Sequence, residues 1–393
     1  MATGVPIRPP TSADFGSRLH SPAVAARVGT WLGITFGLAF VTGLISHWAQ
    51  VPDPLVPFPT RPVWGYRVTQ GLHVISGTAA IPLLLVKLWT VYPRLFARVV
   101  AWPPRAAVVH ALERLSILVL VGAGIFQLST GLMNSTQWYP WDFSFRSTHY
   151  AVAWVAIGAL VLHIGLKLPV IRGAYARDVE DDDPAHPPSG TQAREGSLSR
   201  RGLLRSTWVA SAVAVLATAG ATVPWLRQVS VLGVRTGDGP QGVPINRTAR
   251  AAGVAADATG PSYRLLLVNG GTERELTRDD LLAMTQRTEA LPIACVEGWS
   301  ATGTWTGVRM RDLLDLVDAP AGADVGVYSL QTQGAFATTR LPGNFADDPL
   351  TLLALGLDGE ALALDHGFPC RVIAPNRPGV LQTKWVTRLE VLA

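Results

Sequence analysis

The sequence predicts a multi-domain membrane protein, with an α-helical transmembrane bundle up to about residue 226 and an α+β domain after it. Three observations predict this. Residues 28–45, 115–133 and 207–226 each run 18 to 20 residues without a charge, long enough to cross a bilayer core of about 30 Å as a helix. Residues 72–92 and 150–168 add two spans with one lysine each, Lys87 and Lys167, near an end from which the stem can reach the interface. Beyond residue 226 long periodic segments stop, and short strand-like and helix-like runs mix. A composition 48% hydrophobic and only 16% charged is too apolar for an ordinary soluble enzyme, and the apolar residues concentrate before residue 227. The division that follows is a cytoplasmic tail (1–27), a four-span domain (28–170), a cytoplasmic linker (171–206), a fifth, anchoring span (207–226) and an extracytoplasmic domain (227–393). No span reads as a cleaved signal peptide.

Loop charges set the orientation. The tail (Arg8, Arg18, Arg27), the second connection (Arg94, Arg98, Arg105) and the fourth (Lys167, Arg172, Arg177, Arg194, Arg200, Arg201, Arg205) hold thirteen basic residues, against Arg61, Arg67 and Arg146 in the other two. The positive-inside bias places the amino terminus in the cytoplasm of a multi-pass membrane protein and, after five spans, residues 227–393 on the outer face. That bias also accounts for a pI near 9.5, so no nucleic-acid surface is needed to explain the charge. In the linker, Glu180-Asp181-Asp182-Asp183-Pro184, then Pro187, Pro188, Ser189 and Gly190, read as solvated chain.

The histidines sort by depth. His47, His73 and His149 lie toward the outer ends of the first, second and fourth spans, and His163 follows His149 by 14 residues. Fourteen residues is close to four turns, so both rings project from one face, about 21 Å apart along the axis. Two haems stacked across a membrane, each iron taking a histidine from two helices, need that arrangement. A lone membrane histidine often only bonds a neighbour; several at matched heights point to function. Gly71-Leu72-His73-Val74-Ile75-Ser76-Gly77 and Thr148-His149-Tyr150 through Leu162-His163-Ile164 resemble the haem-binding helices of prokaryotic four-helix b-type cytochromes that serve formate dehydrogenases and hydrogenases. The resemblance implies two b haems and exchange with the quinone pool. His73 and His149 would hold the outer haem, and His163 the inner one with His110 or His20. His110 lies nearer His163 in depth, whereas the family pattern puts the ligand at His20. His47 is a third outer candidate or an interfacial residue beside Trp48.

The outer domain is organised around Cys295-Val296-Glu297-Gly298-Trp299-Ser300-Ala301-Thr302-Gly303-Thr304-Trp305-Thr306-Gly307-Val308. A soft thiolate suits a high-valent transition metal. Glycines would let backbone pass close to a flat cofactor while tryptophans wall it from water. The alternative is a buried free cysteine, or a disulfide with Cys370, the other cysteine. The run resembles the metal-ligand segment of the sulfite-oxidase-like molybdopterin-binding domain, in which the cysteine thiolate binds molybdenum directly. The likeness covers nearly all of 227–393. Gly242-Val243-Pro244-Ile245-Asn246-Arg247-Thr248 sits at the family's first cofactor loop, and Asp365-His366-Gly367-Phe368-Pro369-Cys370-Arg371 and Thr383-Lys384-Trp385-Val386 sit at later ones. It implies cofactor contacts from Asn246, Arg247, His366, Gly367, Arg371 and Lys384, with the cations toward a terminal phosphate or nucleotide diphosphate and Asn246 and His366 toward the pterin.

Two departures from the family bear on substrate. The chain ends at Ala393, without room for the immunoglobulin-like dimerisation domain of sulfite oxidases proper, and the only charged residues to nominate near Cys295 are Glu297, Arg309 and Arg340. Reduction of a neutral S- or N-oxide, as in the related exported methionine sulfoxide reductases, is therefore expected over oxidation of sulfite. Ser199-Arg200-Arg201-Gly202-Leu203-Leu204-Arg205, ahead of an alanine-rich span, resembles a twin-arginine export signal; two arginines before a span are otherwise ordinary positive-inside residues. A cofactor inserted in the cytoplasm requires a domain that crosses already folded, which the twin-arginine machinery allows. Locally, we expect a strand at 263–268 with a turn at 269–271, a threonine-capped helix from 277, a helix at 307–317, and strands at 368–374 and 386–392. The function expected is a membrane-anchored molybdenum oxidoreductase that moves electrons between quinone and a small molecule by oxygen-atom transfer. The alternatives are a sulfite dehydrogenase feeding the membrane and a non-catalytic binding module that has lost its cofactor.

Overall fold

The computed structural model describes residues 17–53, 56–96, 103–182, 198–233, 239–255 and 259–392. Arg8, Arg98, Arg194 and the proline-bearing part of the linker, 183–197, lie outside the described residues. Five long helices come first: α1 (Pro22–Ala49), α2 (Gly65–Val91), α3 (Pro104–Ser135), α4 (Phe145–Tyr175) and α5 (Arg200–Thr218). Each is long and apolar enough, by length and composition, to cross a membrane. Helices α1, α3 and α4 outrun the expected spans at both ends, and α2 outruns its own only at the start. Ser21 caps α1 by accepting from Val24 N at 3.2 Å, and proline occupies the first position of α1 and α3, where its missing N–H costs nothing.

The fifth span differs from expectation. It starts at Arg200 and stops at Thr218, and residues 219–226 form two 3₁₀ turns, Ala219–Ala221 and Pro224–Leu226. The reason is local. The chain folds back so tightly at Gly220 that a Cβ there would lie 2.5 Å from Ser230 Cβ, and Pro224 cannot continue a helix.

Two compact units result, and they do not divide at residue 227. One comprises 1–41, 75–134 and 138–218; the other comprises 42–74, 135–137 and 219–393. In the first, Val24, Val28, Leu83 and Val179 cluster with Leu203 and Leu204. The two lysines of the spans do not simply reach for water. Lys87 donates to Ala25 O at 2.7 Å, and Lys167 pairs with Glu113, because an ammonium partly shielded from water is stabilised by a nearby acceptor. Arg200, only 3% exposed, donates to the carbonyls of Arg18, Glu180 and Asp181 and to the Asp182 carboxylate, while Arg201 pairs with Asp178.

The second unit carries ten strands: β1 (Leu265–Asn269), β2 (Thr272–Leu276), β3 (Gln286–Ala294), β4 (Ser300–Arg309), β5 (Val325–Ser329), β6 (Thr338–Leu341), β7 (Leu352–Leu357), β8 (Glu360–Ala361), β9 (Arg371–Ile373) and β10 (Val386–Val391). Four short helices punctuate them: α6 (Ala249–Ala252), α7 (Arg278–Ala283), α8 (Met310–Asp315) and α9 (Gly343–Ala346). One sheet runs β2-β1-β10-β5-β6, with β1 and β10 parallel; the other runs β3-β4-β7-β8, with β9 also on β7. The expected turn at 269–271 closes the β1–β2 hairpin at the Asn269 and Thr272 pair. The expected cap of α7 is a full capping box between Thr277 and Asp280.

The helix expected at 307–317 is shorter. Strand β4 continues to Arg309, because Gly307 sits at a bulge against β7 where a Cβ would lie 2.1 Å from Leu353 O, and α8 covers only Met310–Asp315. The strand expected at 368–374 contracts to Arg371–Ile373. Two cores form. Leu265, Leu267, Leu281, Val327, Cys370 and Leu389 belong to one, which also takes Val308, Leu353 and Leu355 from the second sheet; Leu291, Ile293, Cys295, Trp299, Trp305 and Leu357 belong to the other.

Candidate active site

Strands β3 and β4 pair from Gln286 and Val308 to Ala294 and Ser300, so residues 295–299 form the tip of a hairpin. Cys295 N donates to Trp299 O at 2.9 Å and Gly298 N to Cys295 O at 3.1 Å. Gly298 adopts φ +81°, a conformation that favours glycine. Cys295 is 1% exposed. Burial pushes its thiol well above the ordinary value, helped by the negative field of Glu297 and opposed by that of Lys384. Glu297 accepts from Trp299 Nε1 at 3.1 Å and from Gln137 Nε2 at 3.0 Å; burial raises its carboxyl as well.

A buried cationic cluster shares that field. Arg371, 1% exposed, donates to His366 O and Gln382 O, both at 3.1 Å. Its guanidinium lies 5.0 Å over the Trp305 ring, and its Nε is buried without a partner. Burial lowers Arg371 to about 9. Lys384, 9% exposed, donates to Arg247 O at 2.9 Å and Asp365 O at 2.8 Å. Burial pulls it down to about 7, with Arg371 pushing the same way and Cys295, Asp365 and Glu297 the other. His366 Nε2 lies 2.6 Å from Pro240 O, and burial lowers that imidazole to about 4. Gly367, at φ +112°, is the position where a Cβ would come within 3.0 Å of Lys384 Cβ and 3.1 Å of Arg371 Cβ, which is why no side chain fits there. Arg247 turns its guanidinium onto Ala251 O, at 2.7 Å and 3.2 Å, and Asn246 before it is half-buried.

The structure thus groups Arg247, His366, Gly367, Arg371 and Lys384, and couples Lys384 electrostatically to Cys295. Sequence reasoning missed Arg377, which is buried, donates to Leu381 O and Arg340 O and is lowered to about 9 by burial. An arginine between Asn376 and Pro378 carries no sequence signal of its role. Among the described residues, none of Arg371, Arg377 and Lys384 has a carboxylate within salt-bridge distance; backbone carbonyls are their acceptors. Buried charge so compensated is costly, and an anionic group bound there would supply the missing counter-charge. This donor set therefore fits a phosphate-bearing cofactor next to a thiol that a metal would deprotonate.

One expectation about the Cys295 run needs correction. Gly303 and Gly307 serve strand packing: a Cβ at Gly303 would lie 2.6 Å from Leu357 Cδ1 and 3.2 Å from Trp305, so only Gly298 belongs to the loop at the site. No disulfide joins the cysteines; both are free and buried. Of the charged residues nominated for substrate, Arg340 is committed to Asp324 and Asp53, whereas Arg309 holds the N-cap position of α8 without a side-chain cap bond and its Nε is buried without a partner.

The histidines are held as follows. In the first unit, His149 Nδ1 is 2.9 Å from Thr130 Oγ1, and the neighbouring Gly131 leaves room beside the ring, a Cβ there lying 3.6 Å from His149 Cε1. In the second unit, His73 Nδ1 is 3.3 Å from Thr42 Oγ1, and a Cβ on Gly43 would lie 3.2 Å from His73 Cε1. A Thr-Gly dipeptide thus faces each imidazole, fixing Nδ1 and orienting the ring toward Nε2. His110 and His163 both act electrostatically on Glu113, and His110 Nε2 is buried without a partner. His20 stacks at 4.4 Å on Trp89, with Nδ1 3.3 Å from Thr90 O. His47 lies in the last turn of α1.

Comparison with known proteins agrees with the donor set. Residues 252–393 match the family model of the oxidoreductase molybdopterin-binding domain. A protein of Azospira oryzae that carries the provisional name protein-methionine-sulfoxide reductase subunit YedZ1 is 33% identical over 115 residues, 29% of this chain and 43% of that one. Mitochondrial sulfite oxidase of Mus musculus is 30% identical over 33% of this chain and 29% of its own length. NADH nitrate reductase of Ulva prolifera is 27% identical over 33% of this chain and 19% of its own. The chain therefore spans less than half the length of each of these relatives. Among solved structures, the sulfane dehydrogenase SoxCD of Paracoccus pantotrophus aligns with a TM-score of 0.30 at 24% identity, over 33% of this chain and 38% of that one. Residues 252–393 are a sulfite-oxidase-like molybdopterin-binding oxidoreductase domain.

Proposed function

We propose that this chain is a membrane-anchored molybdenum oxidoreductase that exchanges electrons between the quinone pool and a small substrate through b haems, working as a reductase of an S- or N-oxide. The observation that carries the reading is Cys295 at a hairpin tip, in the field of Lys384 and beside buried cations that have no carboxylate partner. The molybdenum cofactor, when bound, supplies a metal able to take up or give an oxygen atom. Cys295 would hold that metal, and Lys384 favours the thiolate this requires. Arg371, Lys384 and Arg247 would neutralise the cofactor's phosphate end, and Trp305 closes the underside of Arg371 to water. Glu297, gripped by Trp299 and Gln137, fixes the loop's other polar group.

The commitment of Arg340 to two aspartates leaves little positive charge for an anion such as sulfite, which supports a neutral oxide. The likeness to a methionine-sulfoxide reductase subunit supports the same direction. A second reading, a sulfite dehydrogenase delivering electrons to the membrane, is favoured by the likeness to sulfite oxidases. In the membrane part, His73 and His149 would bind the outer haem and His163 with His110 the inner one. A Thr-Gly dipeptide beside each of His73 and His149 supports each as a ligand, and the unpartnered His110 Nε2 supports His110 over His20. Export by the twin-arginine machinery would carry the loaded domain to the outer face.

The test is spectroscopic. Purified protein should contain near-stoichiometric molybdenum and b haem, and a sulfoxide should reoxidise dithionite-reduced haem. Haem reduction by sulfite would instead select the dehydrogenase, and absence of molybdenum from protein made in a cofactor-competent host would leave only the binding module.

A further inference from the structure

Side chains from well before residue 227 reach the loop that carries Cys295, and all of them belong to the second compact unit. Gln70 of α2 donates its amide to Cys295 O at 3.4 Å and to Tyr66 OH at 2.9 Å. Tyr66 is buried and also accepts from Gln50 Nε2 at 2.9 Å, with Ser46 Oγ at 3.3 Å. Gln137, just beyond α3, donates to Glu297 at 3.0 Å. Thr222, in the segment after α5, donates to Gly298 O. Arg67 donates to Ala301 O at 2.6 Å and Thr302 Oγ1 at 2.7 Å, at the start of β4. Gly298 also lets the turn close on α3, since a Cβ there would lie 3.2 Å from Ser135 Oγ.

We propose that Gln70, Gln137 and Thr222 are positioning residues that clamp the Cys295 loop to the ends of the long helices. The inference deepens the reading above and rests on it. Two backbone hydrogen bonds and the Trp299–Glu297 side-chain bond hold five residues, which is little for a metal ligand that must be placed within about half an ångström. The clamp adds three anchors, one each on Cys295, Glu297 and Gly298. Gln70 is itself locked in the Tyr66 network, so it presents one rotamer to the loop. The clamp also joins two ligand-bearing segments. His73 lies three residues beyond Gln70, on the same face of α2 and about 4.5 Å along its axis. One helical turn and one hydrogen bond thus connect the main chain of His73 to that of Cys295.

The test uses the full-length protein in detergent, with and without molybdenum. In Gln70→Leu and, separately, Gln137→Leu, amide exchange at Gly298 should quicken roughly fivefold, the effect of losing one hydrogen bond on loop opening, while amides of β1 and β10 keep their protection. In the loaded Gln70→Leu protein, substrate-driven haem reoxidation should fall further than turnover with a soluble dye donor. Unchanged exchange at Gly298 in both variants overturns the clamp, as does equal loss of the two activities. If Gln70→Leu fails to fold, Gln137→Leu decides alone through exchange. Failure of the underlying reading shows separately, as wild-type protein without molybdenum or haem.

Discussion

The two cysteines occupy two cores of one domain, and their surroundings separate a candidate ligand from a packing residue. Cys370 precedes β9 in the core to which both sheets contribute. Tyr263 donates to Val386 O, and the Cys370 thiol lies 3.1 Å from the tyrosine oxygen and 3.6 Å from the same carbonyl; burial pushes the thiol up to about 12. Cys295 is equally buried, but it sits at a hairpin tip, with Lys384 in its field and anchored polar side chains about its loop. Burial alone does not distinguish them. What distinguishes Cys295 is a nearby buried positive charge with no carboxylate of its own, which a metal-bound thiolate and an anionic cofactor would complement.

The comparison is most easily broken by paired substitution. Cys295→Ser should abolish turnover, because a hard hydroxyl donates less to the metal than a thiolate, while folding survives. Cys370→Ser should keep turnover and lower unfolding stability by about 1–3 kcal/mol, as a buried thiol is replaced by a smaller, more polar group. Equal losses of activity, measured with a soluble donor, would remove the distinction.

Next in size is Arg371→Met. Molybdenum loading should weaken roughly 10- to 100-fold, the usual effect of removing a partner behind a metal site. The cofactor-free protein should be no less stable, since an uncompensated buried charge has gone. Metal content and thermal melts of the two forms check both halves.

The pH dependence sharpens the comparison further. In the cofactor-free protein Lys384 titrates near 7 and His366 near 4, both below their unfolded values of 10.5 and 6.5. The unfolded chain therefore binds more protons, and stability should rise with pH from about 4 to 6.5 and again from about 7 to 10.5. An anionic cofactor beside Lys384 should flatten the upper rise, which melting temperatures with and without cofactor would reveal. No flattening would place the cofactor's charge away from Lys384. Smallest is Thr277→Ala, which removes the capping box of α7, whose Leu281 packs in the Cys370 core. It should cost about 1 kcal/mol and leave molybdenum content unchanged, showing that the two cores respond separately.

Much of this site was legible in the chain. Arg247, His366, Arg371 and Lys384 were nominated from their loops and do come together, because short loops between strands return to the same edge of a sheet. Arg377, Gln70 and Gln137 were not, because a buried arginine beside proline and glutamines at helix ends look like surface residues until the acceptors they reach are known. The long helices were legible from apolar length alone. The end of the fifth was not, since Gly220 and Pro224 sit in an apolar run and only the fold-back toward Ser230 reveals the break.

By itself the sequence determined what is local: five helices with apolar length, capping at Thr277 and a turn at Gly270. These follow from hydropathy, caps and turn chemistry, which act between near neighbours. Only the tertiary structure decided that Gly303 and Gly307 serve strand packing, that Arg340 is committed to aspartates, and that residues 42–74 belong with the sheets. Those outcomes depend on contacts made across hundreds of residues, where geometry rather than propensity chooses the partner.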